Sequence, residues 1–156
     1  MKLSSGWEQS VYVLLILNRL KSNKSLSAAP IAKRLGVSPT YLQKIIKLLV
    51  NEGLIISISG KNGGFSLAKP LTEITFYDVF VAVEGRGKIF ASQQLLKTFL
   101  GTEGNKAQKC AVTDALDLIE NTLVATLSGV TLAQVAESTQ ENYTLKDLDQ
   151  WVSQNI

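Results

Sequence analysis

The chain has 156 residues, of which 46% are hydrophobic and 19% charged, with a mean hydropathy of +0.15. That is enough apolar content for one buried core and is not the profile of a disordered chain. A single cysteine, Cys110, permits no internal disulfide or CxxC pair, and the absence of histidine argues against Ser-His-Asp or Cys-His catalysis and most zinc sites.

The longest apolar run, Val11–Leu17, is far short of the roughly 18 residues that a membrane span needs, and no secretory signal pattern opens the chain. A cytoplasmic protein with no membrane partner is therefore expected. The charge is unevenly placed. Residues 1–70 carry ten Lys/Arg against two acids, Glu8 and Glu52, whereas residues 71–156 carry six against eleven. A basic first half joined to an acidic second half points to a polyanionic partner for the first.

Helical spacing begins with Trp7, Val11, Leu14 and Leu15, with Ser4 or Ser5 as cap and Lys21–Ser25 as a polar exit. A second helix is predicted over 27–35, capped by Ser27, with Pro30 in its first turn and Gly36 at its end. A third opens at Ser38–Pro39 and runs to about Asn51, with Leu42, Ile45, Ile46, Leu49 and Val50 forming a core-facing stripe. After Gly53 the pattern changes to short apolar pieces, Leu54–Ser59 and Phe65–Ala68, around Gly60-Lys-Asn-Gly-Gly64. This predicts a β-hairpin with a basic tip.

Thr75 with Asp78 three residues on predicts a capped helix that Gly85 ends. Leu95, Leu96, Phe99 and Leu100 suggest a short helical turn, and 101–106 reads as loop. A long helix follows from about Lys109 to Leu127, where Val112, Leu116, Ile119, Leu123 and Leu127 form a narrow seam. That seam suits either a partner helix or packing within one subunit. Thr131 caps a short helix over Leu132–Glu137, Ser138–Asn142 reads as a polar linker, and Thr144 with Asp147 caps a last amphipathic helix bearing Leu145, Leu148, Val152 and Ile156.

Helix, tight turn, helix and hairpin in this order predict a mainly α fold with a small β-hairpin wing: a winged helix-turn-helix domain followed by a long helix. The expected division is 1–84 as DNA-binding domain, 85–108 as connecting or sensor region, and 109–156 as the long helix and C-terminal helices, the long helix being a dimerisation helix if its seam takes a partner. With the stripe of the third helix inward, its outward set is Thr40, Tyr41, Gln43, Lys44 and Lys47. Hydroxyls, an amide and ammonium groups are what phosphates and base edges accept. Lys2, Lys33, Arg34, Lys44, Lys47 and Lys61 are the candidate phosphate contacts, and Thr40, Tyr41 and Gln43 the candidates for base edges. Ser38 at a helix start and Asn62 in the wing tip complete the set, the wing glycines letting the main chain approach the duplex. A polar-faced helical hairpin that binds nothing is the plainer alternative.

Several stretches resemble the Rrf2 family of bacterial transcription regulators. They are Met1-Lys-Leu-Ser4, Ile31-Ala-Lys-Arg-Leu-Gly-Val-Ser38, Tyr41-Leu-Gln-Lys-Ile45, Leu48–Ile55, Gly60-Lys-Asn-Gly-Gly-Phe-Ser-Leu-Ala68, Ile74-Thr-Phe-Tyr-Asp-Val-Phe-Val-Ala-Val-Glu-Gly85 and Val130-Thr-Leu-Ala-Gln-Val135. The likeness covers about residues 1–136, least over 86–108, and the Gly-Gly-aromatic wing with its following helix is the specific part. It implies a homodimer on a palindromic operator, paired through the long helix at 112–127. Iron–sulfur sensors of this family use three cysteines before that helix. Here Cys110 stands near the last position and Arg86–Lys109 supplies no other, so no cluster or other cofactor is expected. Cys110 is left as either a redox-active thiol beside a helix start or a small packing residue.

The function expected is a non-enzymatic, DNA-binding regulator, a repressor, its signal left open between a small molecule, a protein effector, Cys110 oxidation or none. The alternative is a winged-helix module that binds protein or a small ligand without DNA, in a pocket lined by Phe76, Phe80, Phe90 and Phe99.

Overall fold

The computed structural model describes residues 4–61, 63–101 and 110–156. Its centre is α1 (Ser5–Leu17), which buries Gly6, Ser10, Val11, Val13, Leu14, Ile16 and Leu17 on several sides at once. A helix this apolar is stable only when neighbours surround it, and α2 (Ala28–Leu35), α3 (Pro39–Asn51), α4 (Phe76–Glu84) and α7 (Leu132–Asn142) all pack on it. Gly36, with φ of 65°, turns the chain between α2 and α3 in the left-handed conformation that glycine adopts without strain. Ser38 Oγ accepts a hydrogen bond from Tyr41 N at 3.4 Å and starts α3. The predicted stripe of α3 is inward: Leu42, Ile45, Ile46 and Leu49 are buried.

The wing is the antiparallel pair β1 (Ile55–Ile58) and β2 (Gly64–Leu67), registered Ile55 to Leu67 and Ile58 to Gly64. Leu26 adds a third backbone contact: its N–H donates to Phe65 O at 3.1 Å, and Phe65 N–H donates to Leu26 O at 2.9 Å. This ties the wing to the stretch before α2. The fold is thus mainly α with a two-stranded wing, as the sequence predicts.

The wing glycines serve the fold in a way the sequence reading did not assign. A Cβ on Gly64 would lie 2.7 Å from the Leu26 main chain, and one on Gly63 would lie 2.5 Å from Ile58 O. Both are held to glycine by packing inside the protein. Gly60, at φ of 117°, supplies the turn.

Beyond a short 3-10 turn at Leu71–Glu73, α4 begins with the capping box read from the sequence. Asp78 N donates to Thr75 Oγ1 at 3.2 Å, and Thr75 N donates to Asp78 Oδ2 at 2.7 Å. Next come α5 (Leu96–Leu100), α6 (Ala111–Ser128), α7 and α8 (Lys146–Asn155). Two expectations fail here. The stretch 138–142, read as a linker, continues α7 to Asn142, because Thr139 Oγ1 and Asn142 Nδ2 donate to the carbonyls of Val135 and Ser138 at 2.7 Å and the helix keeps its outer polar groups satisfied. The cap expected from Thr144 and Asp147 does not form on α8; Leu145 occupies the cap position, and Asp147 reaches Arg34 instead.

One apolar cluster joins α1–α4, the wing base, Leu132 of α7 and Val152 of α8, with Trp151 and Leu148 against its edge. Trp7 meets Phe76 edge-on, with ring centroids 4.8 Å apart. Gly64→Ala is expected to lower unfolding free energy by about 1–3 kcal/mol, since its new methyl group meets rigid main chain. Gly87→Ala, with open space at its Cβ, should stay within about 0.5 kcal/mol. Urea unfolding of both variants checks this, and equal midpoints would contradict it.

Candidate nucleic-acid interface

Between Glu8 and Glu52 the sequence holds no acid, while Arg19, Lys21, Lys24, Lys33, Arg34, Lys44 and Lys47 lie within it. Helix α3 turns Thr40, Gln43, Lys44 and Lys47 to solvent, Lys33 is exposed at the end of α2, and Lys61 is exposed at the wing tip. Among the described residues none of these four lysines makes an ion pair; the pairs are Arg19–Asp149, Arg34–Asp147, Arg86–Glu52 and Lys88–Asp117. Four exposed ammonium groups thus lack an ion-pair partner among the described residues, the condition for gripping phosphates.

The start of α3 is more specific than its sequence suggested. Pro39 has no N–H, and the amide of Tyr41 goes to Ser38, which leaves Thr40 N–H as the donor at the positive end of the helix. Ser38 is exposed and holds its capping bond while facing outward.

Two predicted contacts are placed differently. Tyr41 is half-buried and packs against the core, its hydroxyl close to Gly6 of α1. Helical spacing alone puts it in the outward set, but the missing side chain at Gly6 leaves room for its hydroxyl, which would lie 3.0 Å from a Cβ there. Arg34 donates from Nη2 to Asp147 Oδ2 at 2.6 Å and lies over the Trp151 ring, 5.5 Å from its centroid. It is thereby held against α8. Lys2 and Asn62 lie outside the described residues.

A further residue escaped the sequence reading. Arg86 pairs through both guanidinium nitrogens with the Glu52 carboxylate. Glu52 caps the negative end of α3, where a carboxylate is unfavourable. Arg86 offsets it, and lying 34 positions away in a loop it left no local signal.

On α6 the apolar seam is divided. Leu127 is buried, Leu116 and Leu123 are half-buried, and Val112 and Ile119 are 69% and 52% exposed. At about 100° per residue, Val112, Ala115, Leu118, Ile119, Thr122 and Ala125 fall on one exposed arc about 140° wide that carries no charged residue. Thr122 and Thr126 donate their hydroxyls back to the Leu118 and Thr122 carbonyls at 2.8 Å, so the polar atoms on this arc are already satisfied. Of the residues expected to line a pocket with Phe90, Phe76 packs on Trp7, Phe80 stacks on Tyr77 and Phe99 is 84% exposed.

The chain matches the Rrf2 family, described as "Iron-dependent Transcriptional regulator", over residues 3–138. It belongs to the Rrf2 family. Among its Rrf2 relatives, "Putative HTH-type transcriptional regulator YffB" of Lactococcus lactis is 65% identical over 154 residues, covering 99% of each chain. The corresponding YwgB protein of Bacillus subtilis is 40% identical, covering 100% of this chain and 97% of its own. Solved structures share the fold. CymR, titled the global cysteine regulator of B. subtilis, superposes with a TM-score of 0.67 at 23% identity, over 89% of this chain and 98% of its own. IscR of T. potens does so with 0.69 at 21%, over 92% of each.

The family description implies iron, and the donor set here does not fit an iron–sulfur cluster. The sequence has one cysteine and no histidine. Of the three acids that follow Cys110 on α6, Asp114, Asp117 and Glu120, the last two are already engaged: Asp117 accepts from Lys88 Nζ at 2.9 Å, and Glu120 from Ile89 N at 3.2 Å. Among the described residues no three His, Cys, Asp or Glu side chains gather as a metal site.

Cys110 stands at the N-cap of α6, and its thiol pKa is lowered, first by a hydrogen bond from the Thr113 side chain and then by main-chain donors. Its alkylation rate by iodoacetamide should therefore fall, as pH is lowered, through a midpoint below that of free cysteine. Thr113→Val should move that midpoint upward; a pH profile identical to free cysteine would contradict the assignment.

Proposed function

We propose that this Rrf2 protein binds double-stranded DNA as a homodimer on a palindromic operator and represses transcription there, as a cytoplasmic, non-enzymatic regulator. The observation that carries the reading is the group of four unpaired lysines, Lys33, Lys44, Lys47 and Lys61, on the helix-turn-helix and its wing. Helix α3 enters a major groove, Thr40 and Gln43 meet base edges, and the lysines hold phosphates on either side. Arg34 and Tyr41 leave the contact set, for the reasons given above. Lys2 and Asn62 stay in it on sequence grounds alone.

Dimerisation follows from α6. Its 18 residues span about 27 Å, and the uncharged arc along Val112, Ala115, Ile119 and Thr122 has no cover in one subunit. Pairing it with the same face of a second copy makes a two-fold contact, and reading successive turns of duplex then requires the two α3 helices to stand roughly 34 Å apart. Leu116 and Leu123 flank that contact, while Leu127 serves its own subunit. Repression needs nothing beyond occupancy of a promoter by the dimer.

Lys44→Ala should weaken binding to every duplex and, one lysine being lost from each subunit, reduce the slope of log affinity against log salt by about two units. An unchanged slope would remove Lys44 from the interface. Ile119→Glu places a carboxylate at the centre of the proposed dimer contact. It should give a folded monomer by sedimentation that has lost operator binding, whereas a dimer of unchanged affinity would contradict the pairing.

A further inference from the structure

The tail of the chain, α7 and α8, closes against the back of α1 and α2 around a cavity of about 330 Å³. Its walls are mostly apolar: Leu15 and Ile16 from α1, Leu35 from α2, Ala136 from α7, and Leu145 and Leu148 at α8. Two guanidinium groups, Arg19 and Arg34, stand at its edge. Each already holds a carboxylate of α8, but in different ways. Arg19 grips Asp149 with two parallel bonds, Nε to Oδ1 at 2.6 Å and Nη2 to Oδ2 at 2.9 Å. Arg34 donates one bond to Asp147, whose side chain is 84% exposed.

A forked, partly buried pair is hard to displace, whereas a carboxylate this exposed returns to water at little cost. The guanidinium of Arg34 stays fixed in position by Trp151 beneath it. The neighbouring crevice along Pro70, Thr72, Glu137 and Glu141 is broader and carries two acids, which would repel an anion.

We propose that the cavity between α1, α2, α7 and α8 binds a small monocarboxylate with an apolar body, its carboxylate on Arg34 in place of Asp147 and its chain among Leu15, Leu35, Ala136 and Leu148. A volume of 330 Å³ is about eleven water volumes, which suits a molecule of about ten non-hydrogen atoms. The site joins the two helices of the DNA-binding head to the two C-terminal helices, so occupancy favours one arrangement of head and tail. That regulatory consequence rests on the DNA-binding reading above; occupancy of the cavity does not.

Isothermal titration of the full chain with octanoate, against 1-octanol as the uncharged control, tests the proposal without DNA. One saturable site per subunit is expected for octanoate, with octanol at least tenfold weaker. Arg34→Gln should weaken octanoate at least tenfold, and Ala136→Phe, which fills the cavity, should abolish it. Should Ala136→Phe fail to fold, the Arg34→Gln comparison decides alone. No saturable heat, equal binding of octanoate and octanol, or unchanged affinity in Arg34→Gln would each overturn the site. A gel shift on the same preparations reads DNA binding separately, so loss of one reading is distinguishable from loss of the other.

Discussion

The rest of this structure depends on where its carboxylates are spent. Asp147 and Asp149 of α8 take Arg34 and Arg19, Glu52 is held by Arg86, and Asp117 of α6 takes Lys88. Each pair is on or near the surface, where solvent screening leaves it little effect on stability. Their larger effect is on the field of the molecule. With these acids engaged by arginines and Lys88, Lys33, Lys44, Lys47 and Lys61 have no anionic partner among the described residues, on the face that a duplex would meet.

The apolar core makes that arrangement rigid. Helix α1 is buried among α2, α3, α4 and α7, so the angle at which α3 presents Thr40, Gln43 and the lysines is fixed by Leu42, Ile45 and Leu49 beneath it. The wing is fixed by main chain, through the Leu26–Phe65 bonds and the closeness of Gly64 to Leu26. Electrostatic grip and rigid presentation thus come from different residues of the same helices, the charged ones outward and the branched ones inward.

What the sequence made legible was local. The stripe of α3, the Gly36 turn, the Thr75–Asp78 capping box and the two wing strands all follow from residues within one or two turns of each other. What it did not show came from partners far along the chain. Asp147 looks like the third residue of a capping box, but Arg34, 113 positions earlier, takes its carboxylate. Tyr41 has the helical phase of an outward residue, yet Gly6 gives its ring a place in the core. The wing glycines look like turn residues, whereas two of them are small because another strand of main chain lies against them. On α6 the spacing of Leu116, Leu123 and Leu127 reads as one seam with Val112 and Ile119, but a helix of 3.6 residues per turn splits it between its own subunit and an open face.

The most direct test is the salt dependence of affinity of the unaltered protein for a two-fold symmetric duplex and for a half-site of the same sequence. Four lysines from each of two subunits predict a log–log slope of about −7 on the symmetric duplex, and about half that on the half-site. A slope shallower than about −2, or the same slope on both, would contradict a paired, lysine-based grip.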